Sequence, residues 1–221
     1  HLMELIGQLK ASPIAIETGA ANEQHYEVPT AFFSMVMGKH MKYSCCYWDD
    51  NTPDLSSAEA KALEITCQRA QLREGMNILE LGCGWGSLTM FMAQKFPSAH
   101  VTGVSNSSTQ KLHIESQCKM RGITNVRIIT ADMNVFDINE TFDRVVSVEM
   151  FEHMRNYQLL LEKISRFLKP DGKLFVHIFT HKEYAYKFEV IDETDWMSKY
   201  FFTGGIMPSN HLLLYFNDHV T

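Results

Sequence analysis

The chain has 221 residues, 26 of them acidic and 20 basic, which gives a formal net charge of −6. This length suits one large domain, or one domain with an extension, and it can bury a core without metals or disulfides. No apolar run approaches the roughly 18–20 residues that cross a bilayer, so no membrane partner is expected. The acidity also argues against nucleic-acid binding, which needs a basic face.

The five cysteines are odd in number, form no CxxC motif and include the adjacent pair Cys45 and Cys46. This pattern indicates neither a disulfide framework nor a zinc site, and it favours a reducing compartment. The first residues lack the basic and long apolar stretches of a secretory signal. We therefore expect a cytoplasmic protein.

The predicted elements begin with an aromatic segment, residues 22–54, that reads as short helices and loops. We take 1–55 as an N-terminal helical lid and 56–221 as the main domain. A helix is predicted to start near Ser56, because Ser56-x-x-Glu59 has the form of a capping box. Beyond it, strands alternate with helices. The strands are predicted at 77–81, 99–104, 126–129, 144–148 and 173–179, the helices at 87–96, 107–121 and 156–168, and a turn at 170–172.

This alternation predicts an α/β fold with a Rossmann-like, doubly wound, mainly parallel sheet covered on both faces. Ligands of such sheets bind beyond the carboxyl ends of the strands. The first strand ends in Glu80-Leu81-Gly82-Cys83-Gly84-Trp85-Gly86-Ser87. Gly82 and Gly84 let the backbone approach a ligand, and a helix N-terminus follows. A tight turn without a ligand is the alternative, but the position in the first strand–helix unit favours a nucleotide-like ligand.

The segment ELGCGWG in this position resembles the glycine motif of class I S-adenosylmethionine-dependent methyltransferases. Those enzymes usually carry an acidic residue at the end of the second strand, which holds the ribose hydroxyls. Here that strand is followed by Asn106 and Gln110 and no carboxylate. The resemblance therefore implies that these two side chains supply the hydrogen bonds, although Asn106 as a simple helix N-cap remains an equal alternative.

Two further segments narrow the resemblance: Tyr43-Ser44-Cys45-Cys46-Tyr47-Trp48 and Glu149-Met150-Phe151-Glu152-His153-Met154. With Asn22-Glu23-Gln24-His25-Tyr26-Glu27 they are similar to plant coclaurine N-methyltransferase-like enzymes, in the branch that also contains cyclopropane fatty-acyl-phospholipid synthases. The likeness runs from about Asn22 to the end of the chain. It implies S-adenosyl-L-methionine as the cofactor. The implied contacts are Tyr43, Ser44, Gly82, Gly84, Asn106, Gln110, Asp132, Met133 and Val148.

Glu149, Glu152 and His153 follow the fourth strand, and the resemblance places them in the catalytic cluster of an amine methyltransferase. If the segment is helical, Glu149 and His153 share a face. An alkylamine must lose a proton before it attacks, and a histidine oriented by carboxylates is suited to accept it. An ordinary i,i+4 pair is the alternative. We expect no metal site, because HExxH is absent and no third ligand is evident beside Glu149 and His153.

The expected substrate is a small aromatic alkylamine of the benzylisoquinoline or phenylalkylamine type, and a homodimer is the expected assembly. Tyr26, Glu27, His181 and Phe202 are predicted to contact the amine, with a substrate cap after about residue 180. One rival is a cyclopropane synthase acting on lipid, and another is a non-catalytic cofactor-binding domain. Glu149 favours the amine, because it stands where the resemblance gives the lipid enzymes a small residue.

The end of the chain carries a further expectation. Sheets of the resembled enzymes carry two strands more than the five predicted, and Leu212–Phe216 is a candidate for one of them. Those enzymes also continue beyond Thr221 and have a longer N-terminal helical region. We therefore expect the sequence to represent part of an enzyme.

Overall fold

The computed structural model describes residues 1–16, 19 and 30–220, so Tyr26 and Glu27 lie outside the described residues. The helices are α1 (Leu2–Lys10), α2 (Thr30–Val36), α3 (Leu55–Arg69), α4 (Ser87–Lys95), α5 (Ser108–Arg121), α6 (Tyr157–Phe167) and α7 (Trp196–Tyr200). The strands are β1 (Asn77–Leu81), β2 (His100–Ser105), β3 (Val126–Thr130), β4 (Phe142–Val148), β5 (Leu168–His177), β6 (Tyr186–Lys187) and β7 (Ile206–Met207). Short 3₁₀ helices occupy Phe151–His153 and Leu212–Phe216.

The main sheet has the order β3-β2-β1-β4-β5, and all of its pairings are parallel. This confirms the predicted α/β, doubly wound, Rossmann-like fold. The chain passes from β1 to β2 and β3 on one side and then returns to β4 and β5 on the other, so strand order reverses between β1 and β4, which is where such sheets open a crevice for ligands. In the part of the chain that the structure describes, no helix has both the length and the apolar character that a membrane crossing requires.

The sheet is buried on both faces because alternate residues of its inner strands feed two separate cores. Leu79 and Leu81 of β1 and Val145 of β4 pack with α1 and α6 on one side. Ile78 and Val146 pack with α3 and α4 on the other. Near-continuous apolar strands are expected when both faces are covered, and this pattern made the strands recognisable in the sequence.

The predicted capping box at Ser56 and Glu59 is wrong. Helix α3 begins at Leu55, and the Asp54 side chain caps it by accepting a hydrogen bond from the Ser57 amide at 2.8 Å. Glu59 therefore lies beyond the position that could reach back to the cap. Its fully buried carboxylate accepts from the amides of Gly38 at 2.9 Å, His40 at 2.8 Å and Lys42 at 3.1 Å. One side chain thus ties the segment 38–42 to α3.

We expect Glu59→Gln to lower the free energy of unfolding by about 2 kcal/mol. The amide group of glutamine would turn N–H donors toward backbone N–H groups that need acceptors, and an unmade bond to a buried donor costs about 1–3 kcal/mol. Chemical denaturation measures this. The matched control is Glu64→Gln on the same helix, whose half-exposed ion pair with Lys95 contributes about 1 kcal/mol at most. Equal losses in both variants would contradict the anchoring role.

Two predicted elements near the end of the chain are also corrected. The turn at Pro170–Gly172 lies inside β5, because Leu168 already pairs with Phe142 and the register shifts before Arg144 pairs with Lys173. The strand ends at His177 rather than Phe179. Leu212–Phe216 is a 3₁₀ helix instead of a strand, and it buries Leu212 and Phe216 against the α1–α6 side of the core.

Candidate functional site

Two adjoining cavities open at the carboxyl ends of β1, β2 and β4, and both are lined by Gly82 and Gly84. The first, which we call the Gln110 cavity, has about 700 Å³ free of protein atoms, the open solvent at its mouth included. The second, the Glu149 cavity, has about 610 Å³ on the same measure. Their position agrees with the ligand site that the strand pattern predicts.

The glycine loop between the cavities depends on residues without a Cβ atom. Gly82 has φ +81°, and a Cβ there would lie 2.7 Å from Met150. Gly84 has φ +53° and nothing within 4 Å of the position a Cβ would take, so its backbone borders open space. Both are left-handed conformations that glycine adopts readily. The loop can therefore bring backbone N–H groups against a ligand.

Asn106 and Gln110 both line the Gln110 cavity, but they do not share a helix face. Ser107, and not Asn106, is the N-cap of α5, and its hydroxyl accepts from the Gln110 amide. The Gln110 side chain is 1 % exposed, and its carbonyl accepts from the Ser105 hydroxyl at 2.6 Å. Its Nε2 has no hydrogen-bond partner among the described residues. A buried donor of this kind calls for an acceptor on a ligand.

Of the two cofactor contacts predicted after β3, Met133 lines a cavity and Asp132 does not. Met133 is buried and lines the Gln110 cavity together with Ala131. Asp132 is not among the lining residues. Its carboxylate accepts from the Asn134 amide at 2.7 Å, and its carbonyl accepts from the Val135 and Phe136 amides. In the described structure Asp132 therefore shapes the turn that presents Met133.

Tyr43, Ser44 and Val148 line the Glu149 cavity, as the predicted contact set implies. The Lys42 ammonium beside them donates to the Ser44 hydroxyl at 2.5 Å and to the Cys45 carbonyl at 2.7 Å. Burial lowers the pKa of Lys42, and the pKa of the Tyr43 phenol is raised by its own burial. The lid segment thus supplies one wall of this cavity.

Glu80 is a lining residue that the predicted contact set omits, although its position before the first glycine marked it in the sequence. Its carboxyl group is buried at the end of β1 and is hydrogen-bonded by the Thr89 hydroxyl. Burial raises its pKa to about 8. The nearby Ser87 hydroxyl also lines the cavity and has no partner among the residues described.

Glu149 follows β4 in a strained conformation, with φ +53°. Its amide donates to the His177 carbonyl at 2.8 Å, and its Oε1 lies 3.5 Å from His177 Nε2. The predicted helical pairing of Glu149 with His153 is therefore wrong, because helical structure begins only at Phe151. The imidazole that Glu149 contacts is His177, whose pKa burial lowers. The sequence interpretation placed His177 inside a longer strand rather than at its end.

Glu152 is 1 % exposed and packs behind Glu149. The Glu149 carboxyl and the Phe179 amide approach it, yet neither of its oxygens has a hydrogen bond of ordinary geometry among the described residues. Burial, and then the neighbouring Glu149 carboxyl, raise the pKa of Glu152 well above its usual range. Glu152 therefore favours its protonated form.

His153 and Phe202 meet at the edge of the Gln110 cavity. His153 lines that cavity, and its ring lies 5.4 Å from the ring of Phe202. Phe202 also packs on Phe179 and Phe188, and the three rings line a groove that continues to the exposed Trp196. This groove is a candidate wall for an aromatic ligand.

His181 takes a different place from the one predicted. Its Nδ1 accepts from the amides of Glu183 and Tyr184, and its own amide donates to the Pro208 carbonyl. It is not among the residues that line the two cavities or the aromatic groove. The side chain therefore caps a turn in the described structure.

Cys45, Glu149 and His177 form a cluster that sequence spacing did not reveal. One donor atom from each lies within 4.8 Å of the others. The three residues come from the lid segment, the loop after β4 and the last position of β5. No sequence signal pairs them, because only the fold brings these segments together.

We expect Gln110→Ala to weaken binding of the ligand of the Gln110 cavity by about 10-fold. A neutral hydrogen bond contributes about 0.5–1.5 kcal/mol, and 1.4 kcal/mol corresponds to a factor of ten. Calorimetric titration with S-adenosylhomocysteine measures this. The control is Gln117→Ala on the exposed face of α5, where the side chain bonds only Arg121. Unchanged binding by Gln110→Ala would remove this side chain from the ligand site.

Comparisons with known proteins agree with this geometry. The family model described as mycolic acid cyclopropane synthetase matches residues 16–219. The (S)-coclaurine N-methyltransferase of Thalictrum flavum subsp. glaucum is 43% identical over 223 residues, covering 100% of this chain and 62% of that protein. The (S)-tetrahydroprotoberberine N-methyltransferase of Eschscholzia californica is 41% identical over 221 residues, covering 99% of this chain and 63% of that protein.

A solved structure is similar throughout the chain. The crystal structure of coclaurine N-methyltransferase bound to N-methylheliamine and SAH superposes with a TM-score of 0.94 at 40% identity. The match covers 100% of this chain and 64% of that one. The chain thus spans less than two thirds of the length of the relatives it matches.

Proposed function

We propose that this chain, which belongs to the mycolic acid cyclopropane synthetase family, is the donor-binding and catalytic part of an S-adenosylmethionine-dependent N-methyltransferase. The acceptor that we propose is a small aromatic alkylamine, of the class named for the similar N-methyltransferases. Family membership alone leaves the acceptor open between a lipid alkene and an amine. The choice rests on the site.

The observation that carries the proposal is the half-buried Glu149, which lines the Glu149 cavity, with the buried Glu152 carboxyl beside it. An amine arrives as a cation near neutral pH, and a carboxylate binds and orients it. An alkene has no charge to match such a pair. The aromatic groove at Phe179, Phe202 and Trp196 lies next to His153 of the Gln110 cavity, through the contact of Phe202 with His153, and it suits an aryl group.

The residues present fit the proposed methyl donor. Gln110 offers an unpartnered buried amide, Met133 offers an apolar surface, and Gly82 and Gly84 leave room for close backbone approach. Glu80 and Ser87 present polar atoms to the amino-acid end of such a molecule. When bound, S-adenosylmethionine supplies an electrophilic methyl group on a sulfonium, so the protein has mainly to position the acceptor and handle a proton.

Three residues, Glu149, Glu152 and His153, act on the proton that the substrate ammonium has to lose. Glu149 binds the substrate ammonium through an N–H···O hydrogen bond, while the buried Glu152, whose pKa is raised, stays protonated behind it. His153, which borders the Gln110 cavity, accepts the N–H proton and leaves the nitrogen lone pair free to attack. His177 supports Glu149 from the opposite side.

A methyl-transfer assay tests the proposal. The protein is incubated with labelled S-adenosylmethionine and, separately, with tetrahydroisoquinolines, phenylalkylamines and phospholipid vesicles. We expect label in one or more amines and none in lipid. Label in lipid alone would establish the alternative, cyclopropane-type transfer, which the family description favours. Donor binding without transfer to any amine or lipid would indicate a non-catalytic cofactor-binding domain.

Three further expectations remain predictions. A homodimer would appear as twice the mass of the 25.4 kDa chain in light scattering. A cytoplasmic location, expected from the unpaired cysteines, would appear as diffuse fluorescence of the tagged protein in cells. The division into a lid of residues 1–55 and a main domain of 56–221 also stays a prediction, which limited proteolysis near residue 55 would test.

A further inference from the structure

We propose that Cys45, Glu149 and His177 bind one zinc ion, which occupies the position that the amine needs. The three donor atoms lie within 4.8 Å of one another, and the two from Glu149 and His177 are 3.5 Å apart. The sequence expectation of no metal site considered Glu149 only together with His153. The fold supplies a different set of ligands.

The spacing matches tetrahedral coordination. With zinc–nitrogen and zinc–oxygen bonds near 2.1 Å, two such ligands are about 3.4 Å apart, and a sulfur ligand lies about 3.6 Å from either. The carboxylate and imidazole already have this separation. Cys45 is exposed, so its thiol is free to turn the remaining distance of about 1 Å toward the pair.

The backbone holds the three ligands in place. Val148 and His177 are register partners on β4 and β5, and the Glu149 amide donates to the His177 carbonyl at 2.8 Å. The Cys45 carbonyl accepts from the Lys42 ammonium at 2.7 Å. Pre-ordered ligands bind a metal more tightly than mobile ones, because less conformational entropy is lost on binding.

The donor set selects the metal. Thiolate, imidazole and carboxylate are all ligands of zinc, whereas magnesium and calcium prefer oxygen alone. Three protein ligands leave a fourth position for water, as in open zinc sites. The Lys42 ammonium is a nearby charge that opposes a cation. Two of its protons are bonded to the Ser44 hydroxyl and the Cys45 carbonyl, and its interaction with the Glu149 carboxylate is a through-space attraction with which the zinc ion has to compete.

Binding can be measured without turnover. The untagged chain is titrated with Zn²⁺ in competition with a chromophoric chelator, and with Co²⁺ as a spectroscopic substitute whose thiolate charge-transfer band reports a sulfur ligand. We expect one ion per chain with a Kd below about 10 μM, which corresponds to about −7 kcal/mol. A weaker Kd, or Co²⁺ binding without the thiolate band, would overturn the proposal.

Three variants identify the ligands. Cys45→Ser and His177→Gln should each weaken zinc binding by at least about 100-fold, since loss of even an outer partner of a metal ligand costs 10–100-fold. Cys46→Ser is the matched control, because the Cys46 thiol is adjacent in sequence but outside the cluster and contacts the Ser44 carbonyl. Equal weakening by Cys46→Ser, or none by Cys45→Ser, would contradict the assigned site.

A consequence for activity rests on the proposed function. Zinc bound to Glu149 removes the carboxylate that orients the amine, so micromolar Zn²⁺ should inhibit methyl transfer by the unaltered protein and not by Cys45→Ser. Inhibition that persists in Cys45→Ser would show that zinc acts elsewhere. If no amine is methylated, the proposed function fails while the binding data still decide the zinc site.

Discussion

Glu149→Gln is expected to lower kcat/KM for amine methylation by about 10²–10⁴-fold, the range typical of a lost acid–base or charge-orienting group. The variant keeps the size of the side chain and removes the charge that, in the proposed function, binds the substrate ammonium. It also changes the group that lies 3.5 Å from His177 Nε2 from a carboxylate to an amide. Initial rates with the best amine of the panel, measured at saturating donor, test this expectation.

Two controls define what such a loss means. Glu162→Gln on α6 changes the same group on a helix away from the cavities and should leave the rate unchanged. Calorimetric binding of S-adenosylhomocysteine to Glu149→Gln should change by no more than about twofold. An equal fall in this affinity would assign Glu149 to the donor, since the residue lines the Glu149 cavity.

Glu152→Gln is expected to stabilise the protein while reducing methyl transfer by about 10²-fold or more. Burial raises the pKa of Glu152 in the folded state above its value in the unfolded chain. Such a group gives its full stability below the unfolded pKa of about 4.3, and this contribution is lost as the pH rises toward the folded pKa. Glutamine stays neutral and avoids that loss.

The measurement is the free energy of unfolding against pH. We expect wild type and Glu152→Gln to agree within about 0.5 kcal/mol near pH 4, and the variant to gain about 1–3 kcal/mol by pH 8, since each pKa unit corresponds to about 1.4 kcal/mol. Glu193→Gln, at an exposed position, should track the wild type. A pH-independent difference would show that the carboxyl of Glu152 does not ionise in this window.

Sequence reasoning succeeded where chemistry is local. Runs such as Ile78–Leu81 and Val145–Val148 place apolar residues on both faces of the strand, so they identify buried parallel strands by themselves. The glycine loop is equally local, because its spacing and its place after a strand define it. These signals were enough to predict the sheet and the edge at which the two cavities open.

Sequence reasoning failed where contacts between segments far apart in the chain determine the structure. Glu59 reads as a helix-capping residue, but its partners are amides about 20 positions earlier in the chain. Leu212–Phe216 is an apolar run too short for periodicity to separate a strand from a helix. The contact of Glu149 with His177, and their approach to Cys45, depend on how β4, β5 and the lid segment meet. No spacing rule in one sequence encodes that.

The left-handed backbone conformation of Glu149 lowers stability at a position whose side chain also affects the choice of substrate. A residue other than glycine at φ +53° costs roughly 1–2 kcal/mol. Glu149→Gly would relieve that strain and erase the charge in a single step, and the resemblance gives the lipid enzymes a small residue at this position. Within this fold, a carboxylate at this position therefore lowers stability relative to glycine, and it persists only because the surrounding structure fixes the backbone there.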